Sequence, residues 1–236
     1  MTTGYATTNF PDGVTNSVLY SALGNYIAED PTVVHAYFND FDAFDAAGDW
    51  TNTATGSVTN AVIAGNGGIL SIGNSAANAD LDSLQLKAAT FAIVPGARSW
   101  FKGRFNLSNA TNAALTIGVI QTTATPLTVT DGLWFSKAAA STALNFNIAK
   151  ASAVTTLSTI ATLANTTYLN VGFHYDGNSS VSVYVNNQKV AGTTVLTNLP
   201  TVNLNLTMAV SNGTAAANTL LIDYILMSNE RDPLSL

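Results

Sequence analysis

The chain has 236 residues, with 8 basic and 14 acidic side chains for a net charge of −6; 47 % of it is hydrophobic and only 9 % is charged. Soluble domains usually carry roughly a quarter of their residues as charges, so Thr, Asn, Ser and Ala must fill this surface, as suits secreted, extracellular and virion proteins. The acidic balance argues against nucleic acid as a partner, the lack of cysteine excludes disulfides and thiolate metal sites, and no apolar run reaches the length of a membrane span.

Residues 1–34 stand apart. "FPDG" is a turn, period-two alternation is missing, and one short helix around Val18–Leu23, capped by Asn16 or Ser17, is the most regular structure expected. Tyr5, Phe10, Pro11, Leu19, Tyr20, Leu23 and Tyr26 make the segment too aromatic for a disordered tail. An arm of this kind docks, either on its own domain or on a partner chain. It also lacks the basic and apolar regions of a signal peptide. The sequons at Asn106 and Asn165 are therefore expected to carry no glycan.

From His35 to the end, strand signals recur between Gly, Asn and Asp punctuation. Phe101, Phe105 and Leu107 share one face of "WFKGRFNL", and Leu144, Phe146 and Ile148 one face of "ALNFNIAK". Leu169, Val171, Phe173 and Tyr175 align in "YLNVGFHY", and Val181, Val183 and Val185 in "VSVYV". Leu204, Leu206, Met208 and Val210 follow in "NLNLTMAVS", then Leu220, Ile222, Tyr224 and Leu226 in "TLLIDYILM". "YDGN" and "VNNQ" read as hairpin turns, because Asn, Asp and Gly tolerate positive φ. Strands with one apolar and one polar face predict two stacked antiparallel sheets, an all-β jelly-roll sandwich over residues 35–236 behind the arm.

Candidate chemistry is sparse. A glycosidase needs two carboxylates about 5–9.5 Å apart. Glu29 and Glu230 are the only glutamates, and the nearest strand-borne pair is Asp40 with Asp42. The two histidines, His35 and His174, come without a nucleophile motif. The sequence therefore predicts no enzyme and no cofactor. Calcium is the weaker metal alternative, through Asp40 and Asp42 or Asp80 and Asp82; neither pair has the spacing of a calcium loop. "RSWFKGR" places Arg98, Trp100, Lys102 and Arg104 at one parity, off the core face. They read either as an outer face balanced by acids such as Asp223 or as an interface patch, since Trp and Arg are enriched in hot spots. A sugar-binding module would need an exposed aromatic platform, for which Trp50 beside Asp49, and Trp134 with Asp131, are the candidates.

Taken in order, "FPDGVTN…ALGNY…DPT", "YFNDFDAFDAAGDWT", "SWFKGRF", "PLTVTDGLWF", "TLANTTYLNVGFHYDGNSSVSVYVNNQKV" and "LLIDYILMSNER" resemble a family of tailed-phage virion structural proteins. These are head decoration, or cement, proteins with a concanavalin/laminin-G-type jelly roll behind an N-terminal arm. The resemblance implies that the arm touches the major capsid protein, that the sandwich stands on the outer capsid surface, and that copies form a homo-oligomer, commonly a trimer. The metal-ligand set of legume lectins has no counterpart in the sequence. The alternative the residues leave open is a tail- or fibre-associated carbohydrate-binding module.

Overall fold

The computed structural model describes residues 33–231. The expected arm helix and the arm aromatics, with Glu29, lie outside the described residues. Fifteen strands follow: β1 (Val34–Asn39), β2 (Trp50–Thr55), β3 (Val58–Ile63), β4 (Ile69–Asn74), β5 (Leu81–Leu86), β6 (Ser99–Leu107), β7 (Ala113–Ile120), β8 (Gly132–Lys137), β9 (Ala143–Lys150), β10 (Ala153–Thr162), β11 (Leu169–Tyr175), β12 (Val181–Val185), β13 (Gln188–Thr193), β14 (Asn205–Asn212) and β15 (Thr219–Glu230). Every pairing is antiparallel. No helix among the described residues is long and apolar enough to cross a membrane.

The strands build the two sheets that the alternation calls for. One runs β13-β12-β11-β6-β15-β4-β3, with β1 also on β15; the other runs β10-β9-β8-β7-β14-β5-β2. The long β15 has β6 along one side; on the other side Thr219–Ile222 pairs with β4 and Ile225–Glu230 with β1. The inward residues of both sheets merge into a single apolar core. At its centre four phenylalanines close a ring across the layers. Phe101 and Phe173 stack at 5.5 Å on the first sheet, and Phe135 and Phe146 meet at 5.1 Å on the second. Phe101–Phe135 at 6.0 Å and Phe146–Phe173 at 5.5 Å complete it.

The period-two reading holds through β6, β9, β11, β12 and β14, whose named apolar residues are buried or half-buried. It fails in β15. There Ile225 and Met227 are fully buried, and Tyr224 and Leu226 pair with Arg104 and Lys102 on the outer face. The cause is a bulge: the register skips a residue between Ile222 and Tyr224, so Asp223 is extra and every later side chain changes sides.

Both turns in the β11–β12–β13 unit form as expected. Asn186 and Asn187 adopt φ of 50° and 64°, the left-handed pair of a tight hairpin. In the other loop the Asp176 carboxylate accepts the N–H groups of Asn178, Ser179 and Ser180 at 2.8–3.0 Å, and both serine hydroxyls. Burial alone pushes this carboxyl upward, but those donors outweigh it and hold the group far below the usual carboxylate range. Asp176→Ala is expected to destabilise the protein by about 1–2 kcal/mol near neutral pH. Because the folded-state pKa is depressed, that contribution is complete above the unfolded pKa and lost as pH falls through the folded value. Urea titrations of both proteins should therefore differ at pH 7 and converge in strong acid.

Candidate functional site

The outward face of the first sheet carries the basic stripe. Trp100, Lys102 and Arg104 project from β6 as the parity predicts, and Arg98 precedes the strand. The Arg98 guanidinium pairs with Glu230 at 2.5 Å and lies 5.6 Å from the Trp100 ring centre. Arg104 pairs at 2.6 Å with Asp223, the bulge residue, and sits 4.2 Å over the Tyr168 ring. The balancing acids are thus present. The tryptophan is not an open hot spot: it is only 3 % exposed and stacks at 5.3 Å on His174. Burial lowers the His174 pKa, so the imidazole stays neutral around neutral pH.

Lys102 lies 5.9 Å from the Tyr224 ring, and no carboxylate among the described residues forms a salt bridge with it. Burial pushes the lysine down and the Tyr224 phenol up to about 12, the latter donating to Asn170 Oδ1 at 2.7 Å. The cross-strand row through this lysine reads Tyr184, Gly172, Lys102, Leu226, Phe38. It ends on Phe38, 59 % exposed on β1, the strand that residues 1–32 lead into. Sequence reasoning missed Phe38. The alternation in "VHAYFN" offers Tyr37 and Phe38 on opposite faces, and only the pairing with Leu226 decides which is outward.

Neither proposed glycan platform exists. Trp50 is 2 % exposed and meets Tyr37 edge-on at 5.9 Å, inside the sandwich. Trp134 is on the outward face of the second sheet but 6 % exposed, packed with Ile120, Ala149 and Val129. Asp131 accepts the Ala151 N–H at 3.0 Å, which braces a loop. Trp50 opens β2 and Trp134 lies within β8, so both are strand residues rather than loop tips. A groove of ≈ 350 Å³ does open on this second face, between residues 124–128 and Thr55, Leu81 and Ser211, with Leu127 on its wall 40 % exposed. Its loop is tied down where Gln85 Oε1 accepts the Thr123 N–H and Asn205 donates to the Thr122 hydroxyl at 2.7 Å.

Among the described residues, the strand-borne acid pair expected from the sequence does not form. Asp40 and Asp42 lie beyond the end of β1, around Phe41, whose φ is 54° and whose ring is fully buried; they do not share a strand face. Burial first, then Asp223 and Asp42, raise the Asp40 carboxyl. Asp80 accepts the Ser75 hydroxyl, whereas Asp82 points into the sandwich with no exposure at all, and burial raises its pKa. His35 packs at a tilt against Phe91, ring centres 4.9 Å apart. No three His, Cys, Asp or Glu side chains among the described residues gather as a metal cluster.

These layers and faces define a lectin-like, concanavalin-type β-sandwich. No protein-family model matches the chain, and no curated protein matches it. Solved structures do. The chain is 11 % identical to the carbohydrate recognition domain of Emp47p, at a TM-score of 0.57, covering 87 % of this chain and 100 % of that one. Peanut lectin matches at 13 % identity and a TM-score of 0.55, covering 83 % and 97 %. A carbohydrate esterase from the Shiga toxin-encoding bacteriophage phi24B matches at 17 % identity and 0.52, covering 82 % and 96 %. At these identities the likeness is one of fold.

Proposed function

We propose that this chain is a decoration protein of a tailed-phage head, which binds the outer surface of the assembled capsid and stabilises the shell. Residues 1–32, with the outward face of the first sheet, are its contact surface for the major capsid protein. The observation that carries this reading is the row ending in Phe38: an exposed aromatic on the strand the N-terminal segment runs into, with Leu226 between it and Lys102. Exposed aromatic surface is what interfaces recruit. The ordered virion-protein motifs and the nearly uncharged surface support it too. The three tryptophans serve packing, which fits a durable module without chemistry of its own.

Such a protein acts by differential binding. It stabilises the assembled lattice in proportion to its preference for that lattice over free subunits. A contact of roughly 1,200–2,000 Å² suffices, and a trimer engaging three sites at once gains about 10²–10⁴ in avidity. The test is copy number per virion, by quantitative mass spectrometry of purified particles against the major capsid protein. Hundreds of copies in a simple ratio to the shell are expected; absence from particles would end the reading. Deleting residues 1–30 is expected to leave a folded sandwich that no longer decorates capsids.

A carbohydrate-binding role is the second reading, favoured by the groove beside Leu127 on the other face and by the sugar-binding relatives in fold. A handful of copies per particle, with glycan-array hits at millimolar sugar, would replace the first reading by this one.

A further inference from the structure

At one edge of the sandwich, Asn52 from β2 of one sheet and Asn60 from β3 of the other both reach Asp82. Asp82 stands opposite Val210 and Ala54 in the ladder and is fully buried. Its Oδ1 accepts Asn52 Nδ2 at 2.5 Å, with Asn60 Nδ2 at 3.4 Å. Its Oδ2 has no hydrogen-bond partner, and neither have Asn60 Oδ1 and Asn74 Oδ1, all of them buried atoms. Asn74, 7 % exposed, is fixed in place because its amide donates to the carbonyls of Asp80 and Val210, each at 3.1 Å. No basic group among the described residues acts on Asp82; burial dominates its environment, opposed by hydrogen bonds from Asn52, Asn60 and Ser83.

A buried carboxylate without a counter-charge is costly, and orphaned amide oxygens around it add to the cost. All the unsatisfied atoms are acceptors, so one hydrogen-bond donor cannot answer them all. We propose that this edge binds a hard cation, calcium, with Asp82 as the anionic ligand and the side-chain oxygens of Asn60 and Asn74 beside it. An all-oxygen donor set selects a hard cation. Asn52 is exposed and Asn60 half-buried, which sets the cluster close beneath the surface at this edge. One carboxylate makes a weak site, in the range of about 10⁻⁴–10⁻³ M found for extracellular modules. The inference does not depend on the virion reading.

The experiment uses the full chain, freed of metal with chelator and dialysed. Equilibrium dialysis against calcium is expected to saturate near one ion per chain in the wild type and to fall at least tenfold short in Asp82→Asn. Thermal unfolding with 5 mM CaCl₂ should raise the wild-type midpoint by about 2–9 °C, while MgCl₂ or NaCl at matched ionic strength should not. Asp82→Asn should melt at or above the calcium-free wild type and ignore calcium. No calcium bound by the wild type would overturn the proposal, whatever the variant does. So would an equal shift with magnesium or sodium, or calcium binding retained by a folded Asp82→Asn. If that variant fails to fold, Asn60→Ala at the half-buried edge serves instead, with weakened calcium binding expected and unchanged binding counting against the site.

Discussion

Phe173→Ala is expected to destabilise the protein by about 3–5 kcal/mol. Phe173 touches Phe101 on its own sheet and Phe146 on the opposite one, so its removal opens the ring of aromatics on two sides. The backbone around it is pinned on both edges, by β6 and β12, and collapses little into the void. The cost then includes the unfilled cavity as well as lost burial. For a domain of this size the melting midpoint should fall by about 6–20 °C. Phe173→Leu, which keeps most of the volume, should cost under about half as much. Equal losses for the two would show that the ring's aromatic geometry, rather than its volume, holds the layers together.

Gly118→Ala is expected to be nearly as damaging although it adds only a methyl group. Gly118 lies within β7, between Thr207 and Trp134, at φ +152°. A β-carbon there would sit 2.5 Å from the Leu133 carbonyl oxygen and 2.7 Å from the Trp134 α-carbon. Those are backbone atoms of the paired strand, so no side-chain rotation relieves the clash, and the ladder itself must shift. A loss of about 2–4 kcal/mol follows from combined strain and overpacking. A well-folded Gly118→Ala with unchanged urea midpoint would mean that β7 and β8 can separate locally without cost. Near-ultraviolet dichroism of Trp134, whose ring packs on this face, reports the shift independently of stability.

What the sequence revealed and what it hid divide along physical lines. Strands such as β11 and β14 face core on one side and polar surroundings on the other, so alternation of Val171, Phe173 and Tyr175, or of Leu206, Met208 and Val210, reads directly as layer assignment. The edge strands β3, β10 and β13 are largely exposed along their lengths. Edges take polar residues on both faces, so little alternation was available to find them. The bulge at Asp223 was invisible because its extra residue is defined only by the partner strand. Trp50 and Trp134 looked like loop platforms because Gly and Asp precede them, yet they lie on strands β2 and β8, where burial depends on what packs against that face. Asp82, named with Asp80 as a calcium candidate, could also have been placed inside: in "LDSLQL" it shares parity with Leu84 and Leu86, and so faces the core with them.

The pairing of β1 with β15 has a mechanical consequence. β1 is joined to the first sheet along six consecutive pairs from Val34–Glu230 to Asn39–Ile225, and β15 is backed on its other side by β6. A tether holding the chain by residues 1–32 and pulling along the strand would load those six pairs together, in shear, instead of opening them one at a time. The tension would pass into the longest strand of the sheet and be shared with β6. A sandwich hung this way can stand off a surface and be buffeted without peeling from its own anchor.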